Sequence, residues 1–141
     1  MCGISVVPNH FVFRPPFNIK ELTDEACRTN VYCKNYVNGL DWKDGDVDYN
    51  DVESVLAPLN EYKYIFVVGR DKKRFLEKYI NTNIVNLEDK IKLRTCRNYF
   101  TNCSIHSEFG FKCAINNVFK IFVFIEQNWN KNLDIIYDEI K

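Results

Sequence analysis

The sequence predicts a single α/β domain over residues 1–141, and three observations carry that expectation. Tyr64-Ile65-Phe66-Val67-Val68 is a continuous apolar run, the pattern of a strand covered on both faces in a parallel sheet. A helical pattern and a second short apolar run follow it, which makes a strand–helix–strand crossover, right-handed by rule. Ala114, Val118, Ile121, Phe122, Ile125 and Trp129 then recur at helical spacing, as the inward stripe of an amphipathic helix from Cys113 to about Trp129. No repeat, linker or low-complexity tract divides the chain.

Taken in order, residues 4–7 and 10–13 read as short edge or hairpin strands, interrupted by Pro8 and ended by Pro15-Pro16. Residues 18–22 read as a further strand, and Thr23-Asp24-Glu25 as a capped start to a short helix or turn. Residues 31–37 alternate loosely and predict a strand that Asn38-Gly39 breaks. An acidic, turn-rich stretch at 41–51 leads into a helix with Val52, Val55, Leu56 and Leu59 on one face and a stop near Pro58. After the strand at 64–68, Gly69 closes it and Asp71 opens a helix with Phe75, Leu76, Tyr79 and Ile80 inward. Residues 84–87 are the returning strand, 94–113 an irregular Cys/His-rich loop, and 133–140 a last helix.

A chain of 141 residues buries roughly two thirds of its unfolded surface, and an apolar fraction of 46% supplies the core. Nineteen basic residues balance nineteen acidic ones, so there is no global attraction to nucleic acid or anionic membrane. Low net charge also weakens repulsion between copies, which favours a protein partner or a homodimer. No apolar stretch is long enough to span a membrane, and no signal peptide is evident. The expected location is therefore intracellular, cytoplasmic or nuclear, with the six cysteines reduced or metal-bound. Seventeen asparagines beside abundant Ile, Lys and Tyr fit an AT-rich genome, such as that of an insect virus or mobile element.

Cys96, Cys103, His106 and Cys113 fall within eighteen residues in the spacing C-x6-C-x2-H-x6-C, and the chain has only two histidines. Three thiolates and an imidazole complete a tetrahedral zinc set, and four protein ligands would make the site a closed, structural one. The x6 gaps match no common finger, and the same cysteines also suit reduced, buried thiols, with Cys113 packed at a helix start. Nucleophilic chemistry between a cysteine and His106 lacks any visible oxyanion feature.

Three other patterns have simpler readings. Residues 44–51 mimic half of a calcium-binding EF-hand loop, but that register puts Leu40 and Trp42 where oxygen ligands belong and Asp51 where the long glutamate belongs. A capped acidic turn is the expectation. Gly69-Arg70-Asp71-Lys72-Lys73 stands at a strand-to-helix junction without P-loop spacing; Asp71 complements the helix dipole, and Lys72, Lys73 and Arg74 form a local basic patch. His10 reads as a surface histidine.

Several stretches together resemble the exonuclease-like, RNase H-fold proteins of insect viruses and transposable elements. The matching pieces are Phe17-Asn18-Ile19-Lys20-Glu21-Leu22, Gly39-Leu40-Asp41-Trp42-Lys43-Asp44-Gly45, and Tyr64-Ile65-Phe66-Val67-Val68-Gly69 with Lys72, Lys73, Phe75 and Leu76. They continue through Ile84-Val85-Asn86-Leu87-Glu88-Asp89, Cys103-x2-His106, and Cys113-Ala114-x2-Asn117-Val118. The resemblance implies an RNase H-like mixed sheet with flanking helices. Enzymes of that superfamily seat two magnesium ions on four acids, two of them in a D-x-E pair on the first strand. Here that stretch reads Ile4-Ser5-Val6-Val7-Pro8, and the residue five places after His106 is Phe111 rather than aspartate.

The expectation is therefore a catalytically degenerate nuclease-like module that binds protein or RNA, stapled by zinc through Cys96, Cys103, His106 and Cys113. As a viral or mobile-element factor it would counter host defence. The alternatives are an active magnesium-dependent nuclease using Asp41, Asp44, Asp46 and Asp48, and a structural or oligomerising module without metal.

Overall fold

The computed structural model describes residues 8–97 and 113–129. Within them the chain is mixed α/β. The helices are α1 (Asp24–Cys33), α2 (Val52–Leu56), α3 (Arg70–Leu76) and α4 (Ala114–Trp129). The strands are β1 (Phe13–Arg14), β2 (Val47–Asp48), β3 (Tyr64–Val67) and β4 (Asn83–Asn86), in two parallel pairs, β1 with β2 and β3 with β4. The strand expected at 4–7 and the helix at 133–140 lie outside the described residues, as does most of the Cys/His loop. No helix among the described residues is long and apolar enough to cross a membrane. Contacts group the chain into two compact units, Met1–Tyr49 with Phe100–Val118, and Asn50–Tyr99 with Phe119–Lys141.

The second unit is built on β3 and β4, in register from Tyr64 against Asn83 to Val67 against Asn86. Parallel strands cannot be joined by a tight turn, so the chain must cross over, and α3 supplies that crossover. Successive β3 side chains point to opposite faces, and here both faces are covered. Val67 joins Ile80 and Ile84 on one side, with Leu56, Leu59, Ile65, Leu76 and Tyr79 against them. On the other, Val85, Leu87 and Ile91 form a cluster with Tyr64, Phe66, Val68, Ile121, Phe124 and Ile125. That double coverage is the physical reason for the unbroken apolar run. The α2 helix buries Val52, then tightens into a 3-10 turn (Ala57–Glu61) at Pro58.

The inward stripe of α4 differs from the one its apolar spacing predicts. Ile121 and Ile125 pack as expected, but Phe124 joins them, Ala114 is exposed and Val118 is 51% exposed. Asn116 and Lys120 are buried instead. Lys120 can lie inward because its Nζ donates to the Leu93 carbonyl at 3.1 Å, while its methylene stem adds apolar surface.

In the first unit, the stretch expected as a strand at 18–22 is a 3-10 turn (Ile19–Glu21), closed by a capping box in which Asn18 and Glu21 satisfy each other's backbone N–H groups. The larger correction is at 31–37. Thr23 Oγ1 accepts from the Ala26 N–H at 3.2 Å, Asp24 and Glu25 face the positive end of the helix dipole, and α1 runs on to Cys33. It then widens into a π-helical turn (Lys34–Asn38), which Gly39 ends at φ 69°. A capped nucleus overrides the weak strand preference of Val31 and Tyr32. Elsewhere β1 meets β2 where Asp46 both donates its N–H to Val12 O at 2.8 Å and accepts the Val12 N–H on Oδ1 at 2.9 Å. Gly45 has no side chain because a Cβ there would collide with the Arg14 backbone.

Leu87 is fully buried, and its carbonyl accepts from Lys90 and Ile91 at 3.0 Å each. Leu87→Ala should therefore lower unfolding free energy by about 2–5 kcal/mol, whereas Val31→Ala on the exposed helix surface should change it by about 0.5 kcal/mol or less. Urea denaturation of both variants measures the difference.

Candidate functional site

Cys96 and Cys113 are the two members of the Cys/His set among the described residues; Cys103 and His106 lie outside them. Cys96 follows a 3-10 turn (Leu93–Thr95), is half-buried against the Val85, Leu87 and Ile91 cluster, and directs its thiol to Lys92 O at 3.5 Å. Cys113 is buried immediately before α4, and its carbonyl accepts the Asn117 N–H at 3.1 Å. Among the described residues no three His, Cys, Asp or Glu side chains stand together so as to hold a metal ion.

The acidic run acts as a set of backbone clasps. Asp41 accepts from Lys34 Nζ, which ties the π-turn to the turn after it. Asp44 Oδ2 accepts the Asp41 N–H at 2.7 Å, and the Asp44 N–H returns to Asp41 O at 3.1 Å. Asp46 holds Val12 as described above, and Asp48 lies opposite Arg14 in the β1–β2 register. Asp41, Asp44, Asp46 and Asp48 thus serve turns and pairing, not a shared cation seat.

The Gly69 junction is similarly occupied. Gly69 takes φ 124°, its N–H donates to Asn86 Oδ1 at 2.9 Å, and Lys72 Nζ donates to Val68 O at 2.9 Å. Lys73 pairs with Glu77 at 3.9 Å along α3. His10 is half-buried.

What stands open is the C-terminal part of α1. Val31, Tyr32 and Tyr36 are 54%, 60% and 72% exposed, and the two tyrosine rings lie 5.2 Å apart. Along the same helix runs an open groove of about 650 Å³, lined by Ala26, Thr29, Asn30, Cys33, Asn38 and Trp42. The Trp42 ring is fixed by its Nε1–H to Phe17 O at 3.1 Å and by the Phe17 ring at 5.8 Å. Large aromatic surface left in water is costly to a monomer and useful in an interface. The strand reading of 31–37 concealed these residues; the Thr23 cap followed by tyrosines four apart was the signal for a helix face. Comparison with known proteins finds no matching family model, no matching curated protein and no matching solved structure.

The charges beside this face have a defined pH response. The hydrogen bond from Lys34, reinforced by its charge, holds the Asp41 carboxyl below its ordinary 3.8, and the same bond raises Lys34 above 10.5. A depressed carboxyl contributes stability above pH 3.8 and loses it as pH falls through its lower folded value. The raised ammonium contributes below pH 10.5 and loses it as pH climbs through its higher one. In a carboxyl-detected NMR titration, Asp41 should titrate below an ordinary aspartate, and Lys34→Ala should move that midpoint upward.

Proposed function

We propose that this chain is a non-catalytic binding module of RNase H-like architecture, and that its ligand is another protein, docked through Val31, Tyr32 and Tyr36. The exposed tyrosine pair carries the proposal. Tyrosine supplies large, rigid contact area with a polar tip and is enriched where binding energy concentrates in interfaces. The local charge favours protein over RNA: Asp24, Glu25, Asp41 and Asp44 lie on α1 and the turn after it, while Lys34 is committed to Asp41. A phosphate backbone would need uncommitted cations there.

The RNase H-like part is supported by the β3–α3–β4 crossover with α4 on one of its faces, which covers several of the matching stretches. The non-catalytic part is supported by the missing D-x-E pair and by the backbone duties of Asp41, Asp44 and Asp46. On this view the chain works as a viral or mobile-element factor that occupies a host defence protein rather than cutting its nucleic acid. The C-x6-C-x2-H-x6-C spacing supports zinc on Cys96, Cys103, His106 and Cys113 as a structural staple.

Immobilised native chain should retain one or a few proteins from insect cell lysate that a Tyr32→Ser, Tyr36→Ser variant of unchanged circular dichroism does not. Identical patterns from the two would overturn the docking face, as would light scattering that shows only self-association lost in the variant. Single-stranded RNA should survive incubation with the chain and magnesium; degradation abolished by Asp44→Ala would restore the nuclease reading. Elemental analysis should find about one zinc per chain, and less than about 0.2 would remove the staple.

A further inference from the structure

The carboxyl ends of β3 and β4 open on a cavity of about 570 Å³, lined by Val68, Glu88, Ile91, Lys92, Leu93, Arg94 and Thr95. Ligands of parallel α/β sheets bind in such crevices, because the loops that follow the strands converge there. The volume is that of a small-molecule site.

The rim is fixed on every side. Asn86 Oδ1 accepts the Gly69 N–H at 2.9 Å and the Glu88 N–H at 3.1 Å, so one side chain ties together the chain segments that leave the two strands. Thr95 closes the 3-10 turn by donating both N–H and Oγ1 to Lys92 O, at 3.0 and 2.9 Å. Lys120, itself 9% exposed, anchors that turn from α4 through Leu93 O. The lining has three chemical parts. Val68, Ile91 and Leu93 make an apolar wall, Lys92 and Arg94 add two cations, and Glu88 adds one carboxylate, steadied by Asn86 Nδ2 at 3.4 Å and Arg70 at 4.0 Å.

We infer that this crevice binds a free nucleoside phosphate. The apolar wall takes the face of a base, Lys92 and Arg94 take the phosphate, and Glu88 accepts from ribose hydroxyls. Glu88 stands just past the second strand of the crossover, nineteen residues after Gly69 (88 − 69), where an acidic residue meets the ribose in nucleotide-binding crossovers. The phosphate does not sit at the start of α3. That place is filled by Lys72, whose Nζ lies 3.2 Å from where a Gly69 Cβ would be, and no Gly-rich loop surrounds it. This site goes beyond the docking proposal and is independent of it, since its residues belong to the second unit and the tyrosine face to the first.

Calorimetric titration of the full chain with AMP, GMP, CMP and UMP tests the inference. At least one should bind saturably, with its nucleoside and inorganic phosphate each weaker by about tenfold or more. Lys92→Gln with Arg94→Gln should weaken the nucleotide about tenfold while the nucleoside, which reports an intact fold and wall, binds as before. Glu88→Gln should erase the preference for the ribonucleotide over its 2′,3′-dideoxy analogue. No saturable binding of any of the four, inorganic phosphate binding as well as they do, or retention of RNA without affinity for mononucleotides would each overturn it.

Discussion

Parallel pairing of β3 and β4 is the constraint from which the second unit follows. Two strands that run the same way need a connection long enough to return, and residues 68–82 provide it with α3. A pair covered on both faces must then find two sets of apolar partners. The α2–310 segment, α3 and Ile80 furnish one set, and α4 with the 91–96 stretch furnishes the other. Leu87 joins the two requirements: its N–H extends the ladder to Val67 O at 2.8 Å while its side chain is the most buried in the chain. Loss of that contact would loosen ladder and core together, because neither has a second anchor at the strand ends.

The first unit rests on polar contacts instead. Its β-pair is two residues long on each strand, too short to fold by pairing alone. Side chains of Asn18, Thr23, Asp44 and Asp46 complete backbone groups that no ladder or helix reaches. Acidic residues suit this task because a carboxylate accepts several N–H bonds and strengthens each of them. The same use explains why a sequence that imitates an EF-hand over 44–51 need hold no cation: its carboxylates already face backbone donors.

How far the sequence could be read follows from that contrast. Where burial decides, as at 64–68, 84–87 and the helix over 113–129, periodicity located the elements, and the parallel direction of β3 followed from its unbroken apolar run. Where caps decide, it failed. Residues 31–37 alternate like a strand, yet Thr23, eight residues upstream of Val31, had already committed the chain to a helix. The tyrosine face was hidden by that error, and the crevice beyond β3 and β4 was hidden because Glu88, Lys92 and Arg94 are ordinary surface residues until the crossover brings them to one edge. Of the Cys/His set, Cys96 could be read as a thiol at the margin of the core, which is where it lies.

Lys120 shows why the apolar stripe of α4 was misplaced and what the misplacement implies. Moving a lysine out of water is unfavourable, and a single carbonyl partner offsets only part of that cost. A methionine or leucine would fill the same volume without it. A lysine at this position therefore does something an apolar residue could not: it holds the Leu93 carbonyl, and with it the turn that sets Lys92 and Arg94 on one rim. Because the tether is a charge–dipole contact rather than close packing, the turn is anchored at one atom while its side chains stay in solvent. An anchored loop with free cations is the arrangement that a charged ligand can use.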